Sequence, residues 1–155
     1  MTTLTIEELL VRESIRCALE TYTSAGDRGA MDELVWAFVP DARLELFGRA
    51  VEGRDAIADA LGSVIADPGS LGFLRHHLTS SKIELTGTGA DGWTYFIAFT
   101  PLGPDHCGLY VDHFVDDGDA WRIARRRIKV DWCHPDSPVL GADDDGWWPR
   151  GWSAR

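Results

Sequence analysis

Two kinds of periodicity share this chain, and the point at which one replaces the other limits the fold more than any other feature. Up to about Gly72 the apolar residues recur at helical spacing, with Thr5 and Glu8 set three apart as a capping box at the start. From Leu74 onward come four long segments of β-type composition: LRHHLTSSKIELTG, GWTYFIAFTPLG, CGLYVDHFVDD and AWRIARRRIKVDW. Clusters of glycine, aspartate and proline separate them. Helices first and a meander afterwards predict an α+β fold, with helices packed on one face of a strongly curved antiparallel sheet. In more detail, a first helix is expected from Ile6 to about Ala25, with Ile6, Leu9, Leu10, Ile15, Leu19 and Tyr22 as its apolar side. A turn over Gly26 to Gly29 follows, then a short helix that Pro40 ends, a strand from DARLELF, and a third helix carrying Ile57, Ala60, Leu61 and Ile65.

The 155 residues fit one domain, large enough to bury a core or an internal cavity. Residues 1–132 are expected to form it, and residues 133–155 an irregular tail whose Trp147, Trp148 and Trp152 seal a cavity mouth or dock on a neighbour. A formal net charge of −10 argues against a nucleic-acid partner, since phosphate binding needs a dense basic surface. No segment approaches the roughly 20 apolar residues of a membrane helix, and the N-terminus lacks a signal-peptide pattern. Cys17, Cys107 and Cys133 cannot all pair, which suits reduced thiols in a cytoplasmic protein. The histidines and cysteines show no metal-ligand spacing, and no glycine-rich nucleotide fingerprint or nucleophile elbow is present, so neither metal nor cofactor is expected.

Polar residues in apolar phase are the candidates for function. Counting an unbroken strand, His77 shares a face with Thr79, Ser81, Ile83 and Leu85, and His76 faces the other way. Arg126 is in phase with Ala124, Ile128, Val130 and Trp132, and Asp112 with Tyr110 and Phe114. Each has a structural explanation: a histidine bonded to a carbonyl, an Arg126–Asp112 ion pair, Asp27 capping the second helix. Inward polar groups on three strands together suggest a cavity.

These residues resemble the SnoaL-like branch of the nuclear-transport-factor-2-like superfamily, whose members are cone-shaped α+β domains enclosing a pocket. The likeness covers about Ile6 to Trp132 and rests on the long first helix, GDRGAMDEL, the D-A-R-L strand start, HHLTSSKIEL and AWRIARRRIKVDW. Within the branch the chain is most similar to the scytalone dehydratase, hexachlorocyclohexane dehydrochlorinase and bile-acid dehydratase type. The resemblance implies a cofactor-independent lyase in which Asp27 orients His77 as the base of an elimination, with Arg126 and Tyr22 completing the catalytic set. Asp112 maps to the oxyanion-stabilising acid of the related ketosteroid isomerases, whose carboxylate base is replaced here by Leu46. Tyr110, Trp36, Phe99 and Phe114 are the remaining substrate-binding candidates, for a small hydrophobic cyclic molecule. An isomerase or polyketide-type cyclase, or a non-catalytic ligand-binding or subunit-association domain, are the alternative readings. Family members form dimers or trimers, so a homo-oligomer is implied.

Overall fold

The computed structural model describes residues 4–64 and 71–140. Three helices, α1 (Ile6–Arg28), α2 (Met31–Leu34) and α3 (Arg54–Val64), accompany six strands: β1 (Phe38–Leu46), β2 (Arg49–Glu52), β3 (Arg75–Leu85), β4 (Ala90–Thr100), β5 (Gly103–Asp116) and β6 (Trp121–Cys133). The strands form a single sheet in the order β2-β1-β6-β5-β4-β3, open at its β2 and β3 edges rather than closed into a barrel. Every pairing is antiparallel except β1 with β6, which is parallel, so the sheet is mixed where an antiparallel one was expected. A strand's apolar alternation carries no direction, which is why periodicity alone misses this.

The capping box forms as expected, with Glu8 N donating to Thr5 Oγ1 and Thr5 N to the Glu8 carboxylate. Helix α1 then runs three residues further than expected and stops at Gly29, whose φ of 70° supplies the left-handed C-cap. Asp27 therefore sits in the last turn of a helix and not in a loop. The buried stripe of α1 is Ile15, Leu19, Tyr22, Ala25 and Gly26. Ile6, Leu9 and Leu10, expected on that stripe, are exposed because a repeat of 3.6 residues turns them to the far side. Pro40 does not end a helix; it lies within β1, in the stretch between Phe38 and Arg43 where the pairing with β6 slips. Ile65 lies outside the described residues.

The bulges decide which side chains face the helices. Between Leu78 and Ser81, β3 takes three steps while β4 takes two, from Phe96 to Thr94. One face of β3 thus carries His76 and Leu78 before the bulge and Ser81, Ile83 and Leu85 after it, opposite the buried Ala98, Phe96, Thr94 and Ala90 of β4. Further slips occur at Asp105 on β5 and at Ala124 and Asp131 on β6. The last of these turns Trp132 outward, away from Val130 with which it was expected to share a face. On β5 the inner face stays in phase through His106, Gly108, Tyr110, Asp112 and Phe114, all buried.

Candidate active site

The last turn of α1 meets the first residues of β3, and the contact is made by a carboxylate. Asp27 accepts two hydrogen bonds from the His76 backbone N–H, at 2.9 and 3.1 Å, and its Oδ1 lies 2.6 Å from His76 Nδ1. Both side chains are largely buried, 15% exposed for His76 and 10% for Asp27. A carboxylate is acceptor-only, so Nδ1 carries a proton in this contact, and His76 is among the residues that line the neighbouring cavity. The grip on the backbone as well as on the ring fixes the orientation of the imidazole.

His77 does not occupy this place. It is exposed, and its ring stands edge-on to Phe99 at 5.4 Å on the outer face of the sheet. The expectation counted alternation through an unbroken strand from the apolar Ile83 and Leu85, and the extra residue between Leu78 and Ser81 reverses the phase of everything before it. Phe99, bonded in register with Arg75, goes outward with it.

The cavity is about 60 Å³ and mostly apolar, walled by leucines, valines and Phe96; among the described residues its polar side chains are His76, His106, Tyr22 and Tyr110. His106 is the residue that sequence reasoning missed. Its Nδ1 lies 2.7 Å from Asp105 Oδ2, and Asp105, fully buried at the β5 bulge, also accepts from Ser137 Oγ at 2.8 Å and Thr100 Oγ1 at 3.3 Å. Burial lowers the pKa of His106, with Asp105 opposing and the nearby His76 adding to the shift, so the ring is neutral near pH 7. The His76 and His106 rings stand edge to face with centroids 5.4 Å apart. The signal was present, because His106 has the same parity as Tyr110 and Asp112.

Arg126 sits behind this surface and does not line the cavity. It donates from Nε and Nη2 to the two oxygens of Asp112, at 2.8 and 2.7 Å, and both side chains are fully buried. Its guanidinium carbon lies 4.1 Å from the Tyr22 ring centroid and 4.2 Å from that of Tyr110, a cation between two aromatic faces. Burial works to lower the Arg126 pKa, but the Asp112 carboxylate outweighs it and the pKa is raised, leaving the cation firmly charged. Asp112 is thus engaged by Arg126 rather than presented to a ligand. Burial raises the pKa of both Tyr22 and Tyr110, so their hydroxyls remain O–H donors.

Two further candidates lie elsewhere. Trp36 is 60% exposed beneath the Arg54 guanidinium, and Phe114 is fully buried in the core without reaching the cavity. Among the described residues no group of three or more histidine, cysteine, aspartate or glutamate side chains is disposed to hold a metal ion. The three cysteines are free, and no described helix is long and apolar enough to cross a membrane. The start of the expected tail belongs to the site, since Val139 and Leu140 line the cavity and His134 N donates to Asp105 O at 2.6 Å. Trp147, Trp148 and Trp152 lie outside the described residues.

This architecture recurs in solved structures. A Novosphingobium aromaticivorans protein assigned as a scytalone dehydratase superposes with a TM-score of 0.72 at 22% identity, covering 84% of this chain and 91% of that one. An NTF2-like protein with a cystatin-like fold from the same organism gives 0.68 at 20% identity, covering 90% and 98%. Among sequences, the uncharacterized protein Rv2910c of Mycobacterium tuberculosis is 33% identical over 135 residues, which span 79% of this chain and 87% of the relative. Residues 7–127 match the SnoaL-like domain family, and with the cone-shaped sheet and its pocket in place, the chain belongs to that family.

Proposed function

We propose that the protein is a cofactor-independent lyase, of the dehydratase or dehydrohalogenase kind, in which the base is His76 held by Asp27. The observation that carries this reading is the triple grip of one carboxylate on one residue, which commits the backbone N–H and Nδ1 of a histidine that lines the apolar cavity. In the proposed step Nε2 removes a proton from a carbon beside an activating group. The C–H electron pair forms the new double bond, and hydroxide or halide departs from the adjacent carbon. A departing hydroxide collects its proton from the imidazolium and leaves as water; a halide leaves as the anion. Asp27 stabilises the imidazolium without taking its proton, the service a buried aspartate gives a catalytic histidine elsewhere. General-base help of this kind is worth about 10² to 10⁴ in rate.

The rest of the lining favours the same chemistry. Tyr22 and Tyr110 supply two O–H donors for the departing oxygen or the developing enolate. His106, neutral and with Nδ1–H committed to Asp105, offers an acceptor that would hold a substrate hydroxyl. Among the described residues the cavity lining contains no arginine or lysine, which suits an uncharged cyclic substrate over a carboxylate or phosphate.

The test is turnover of a panel of β-hydroxylated and β-halogenated cyclic ketones, followed by the absorbance of the conjugated product. His76→Gln is expected to lose at least about a hundredfold in rate, and unchanged turnover in that variant rejects the assignment. The His76–His106 pair also favours a second reading, an isomerase that carries a proton between two carbons with no group lost. A product of unchanged mass would select it.

A further inference from the structure

The helices cover one face of the sheet, where Tyr22 of α1 meets Tyr110 of β5. A sheet whose second face stands in water alternates apolar with polar residues along each strand. Strand β6 does so: Arg127, Lys129 and Asp131 are exposed and alternate with the buried Ile128 and Val130. Strand β4 does not. Its inward residues from Ala90 to Thr100 are buried, and the outward residues of its run WTYFIAF are Trp93, Tyr95, Ile97 and Phe99. This is the pattern of a strand covered on both sides.

The outward set is nevertheless open. Tyr95 is 53% exposed, and Trp93, Ile97 and Phe99 are partly buried. In register with them on β5 stand Leu109, beside Tyr95, and Val111, beside Trp93, both partly buried as well. An aromatic-rich apolar patch thus lies in the middle of the outer face, with charged side chains around it. Contiguous apolar surface left in water marks an interaction site, and an aromatic centre inside a polar rim is the anatomy of a protein–protein interface.

Charge and size both favour a second copy of the chain as the occupant. At a formal net charge of −10, two copies repel each other over most of their surface. That repulsion is weakest at the outer face, where Lys82 pairs with Glu84 and Arg127 with Glu45, and Lys129 stands near Asp131. The same pairing leaves little unmatched positive charge to draw in a polyanion. The four strands β3 to β6 are about 20 Å across, and β4 from Asp91 to Phe99 is about 27 Å long at ordinary strand spacings. Two such faces bury about 1,000 Å² together, the size at which specific interfaces begin.

We infer that two copies of this chain pair face to face through the outer surface of β4 and β5. A twofold axis along the strands sets Trp93 and Tyr95 of each copy against Leu109 and Val111 of the other, as in the stacked sheets of a sandwich. The cavity beside His76 lies on the inner face, so the pairing is independent of the proposed chemistry.

The test is sedimentation equilibrium of the wild-type protein, of Tyr95→Glu and Tyr95→Ser, and of Leu10→Glu as a control on the exposed side of α1. The wild type is expected to be a dimer at micromolar concentration. In a twofold interface each substitution enters twice, so Tyr95→Glu is expected to weaken the dimer about a hundredfold or more. Tyr95→Ser is expected to weaken it by a smaller factor, and Leu10→Glu to leave it unchanged. The Tyr95 side chain faces solvent in the single chain, so both variants are expected to keep the wild-type circular dichroism spectrum. A monomeric wild type overturns the pairing, and so does a dimer that folded Tyr95 variants leave intact. A wild type that stays monomeric and sediments with phosphatidylserine vesicles gives the face to a lipid surface and likewise overturns it.

Discussion

Asp27 is asked to do two things, orient a backbone N–H and hold a ring nitrogen, and the amide that comes closest to it in shape can do only part of this. Asp27→Asn keeps an acceptor for the His76 amide but cannot stabilise an imidazolium by charge. Its turnover is expected to fall by about 10² or more with the fold intact, as the circular dichroism spectrum will show. His77→Ala, on the outer face, is expected to change neither. His106 gives a pH signature. Its folded pKa is lowered, so the unfolded chain binds the proton more readily, and this histidine's stabilisation is fully present above about pH 6.5 and lost as pH falls below it toward the folded value. Melting temperatures measured from pH 7 to pH 5 are expected to drop more steeply in the wild type than in His106→Gln. Equal slopes would mean that the ring is not buried in its neutral form.

Elements are where the chain was most and least readable. The capping box, the breaker chemistry and four long alternating segments placed α1 and β3 to β6 with little error, because each signal is local. β2 escaped notice as four residues without alternation, and its pairing with β1 is a tertiary matter. Bulges escaped for a similar reason: the residue that breaks the count between Leu78 and Ser81 is an ordinary serine or threonine, and only the partner strand shows that it is extra. This one miss moved the proposed base by a residue. The Arg126–Asp112 pairing, by contrast, was readable from phase alone. Gly108 tests the close approach of β5 and β6, since a Cβ there would fall on the Lys129 carbonyl. Gly108→Ala is expected to destabilise by about 3 kcal/mol or more through forced strand separation, measured as a lower urea midpoint.

At the scale of the whole molecule, one buried cation ties the parts together. Arg126 on β6 joins Asp112 on β5 and lies between Tyr22 of α1 and Tyr110 of β5, so the helix, two strands and the floor of the cavity share a contact. Removing the cation leaves a carboxylate buried without a partner. Arg126→Met is expected to cost about 3–5 kcal/mol, and Arg126→Met with Asp112→Leu appreciably less, because an apolar pair of similar volume avoids the unpaired charge. Chemical denaturation of the three proteins checks the order. If the single variant is no less stable than the double, the salt link contributes nothing to holding α1 against the sheet.

The paired histidines at 76 and 77 turn the β3 bulge into a form of insurance. Two neighbouring imidazoles point to opposite sides of the sheet, so a descendant of this chain that shed one residue between Leu78 and Ser81 would rotate the leading part of the strand and bring His77 inward as His76 swung out. Either alignment turns one imidazole toward the inner face of the sheet, so this strand can change length there and still carry a histidine on the side of the pocket.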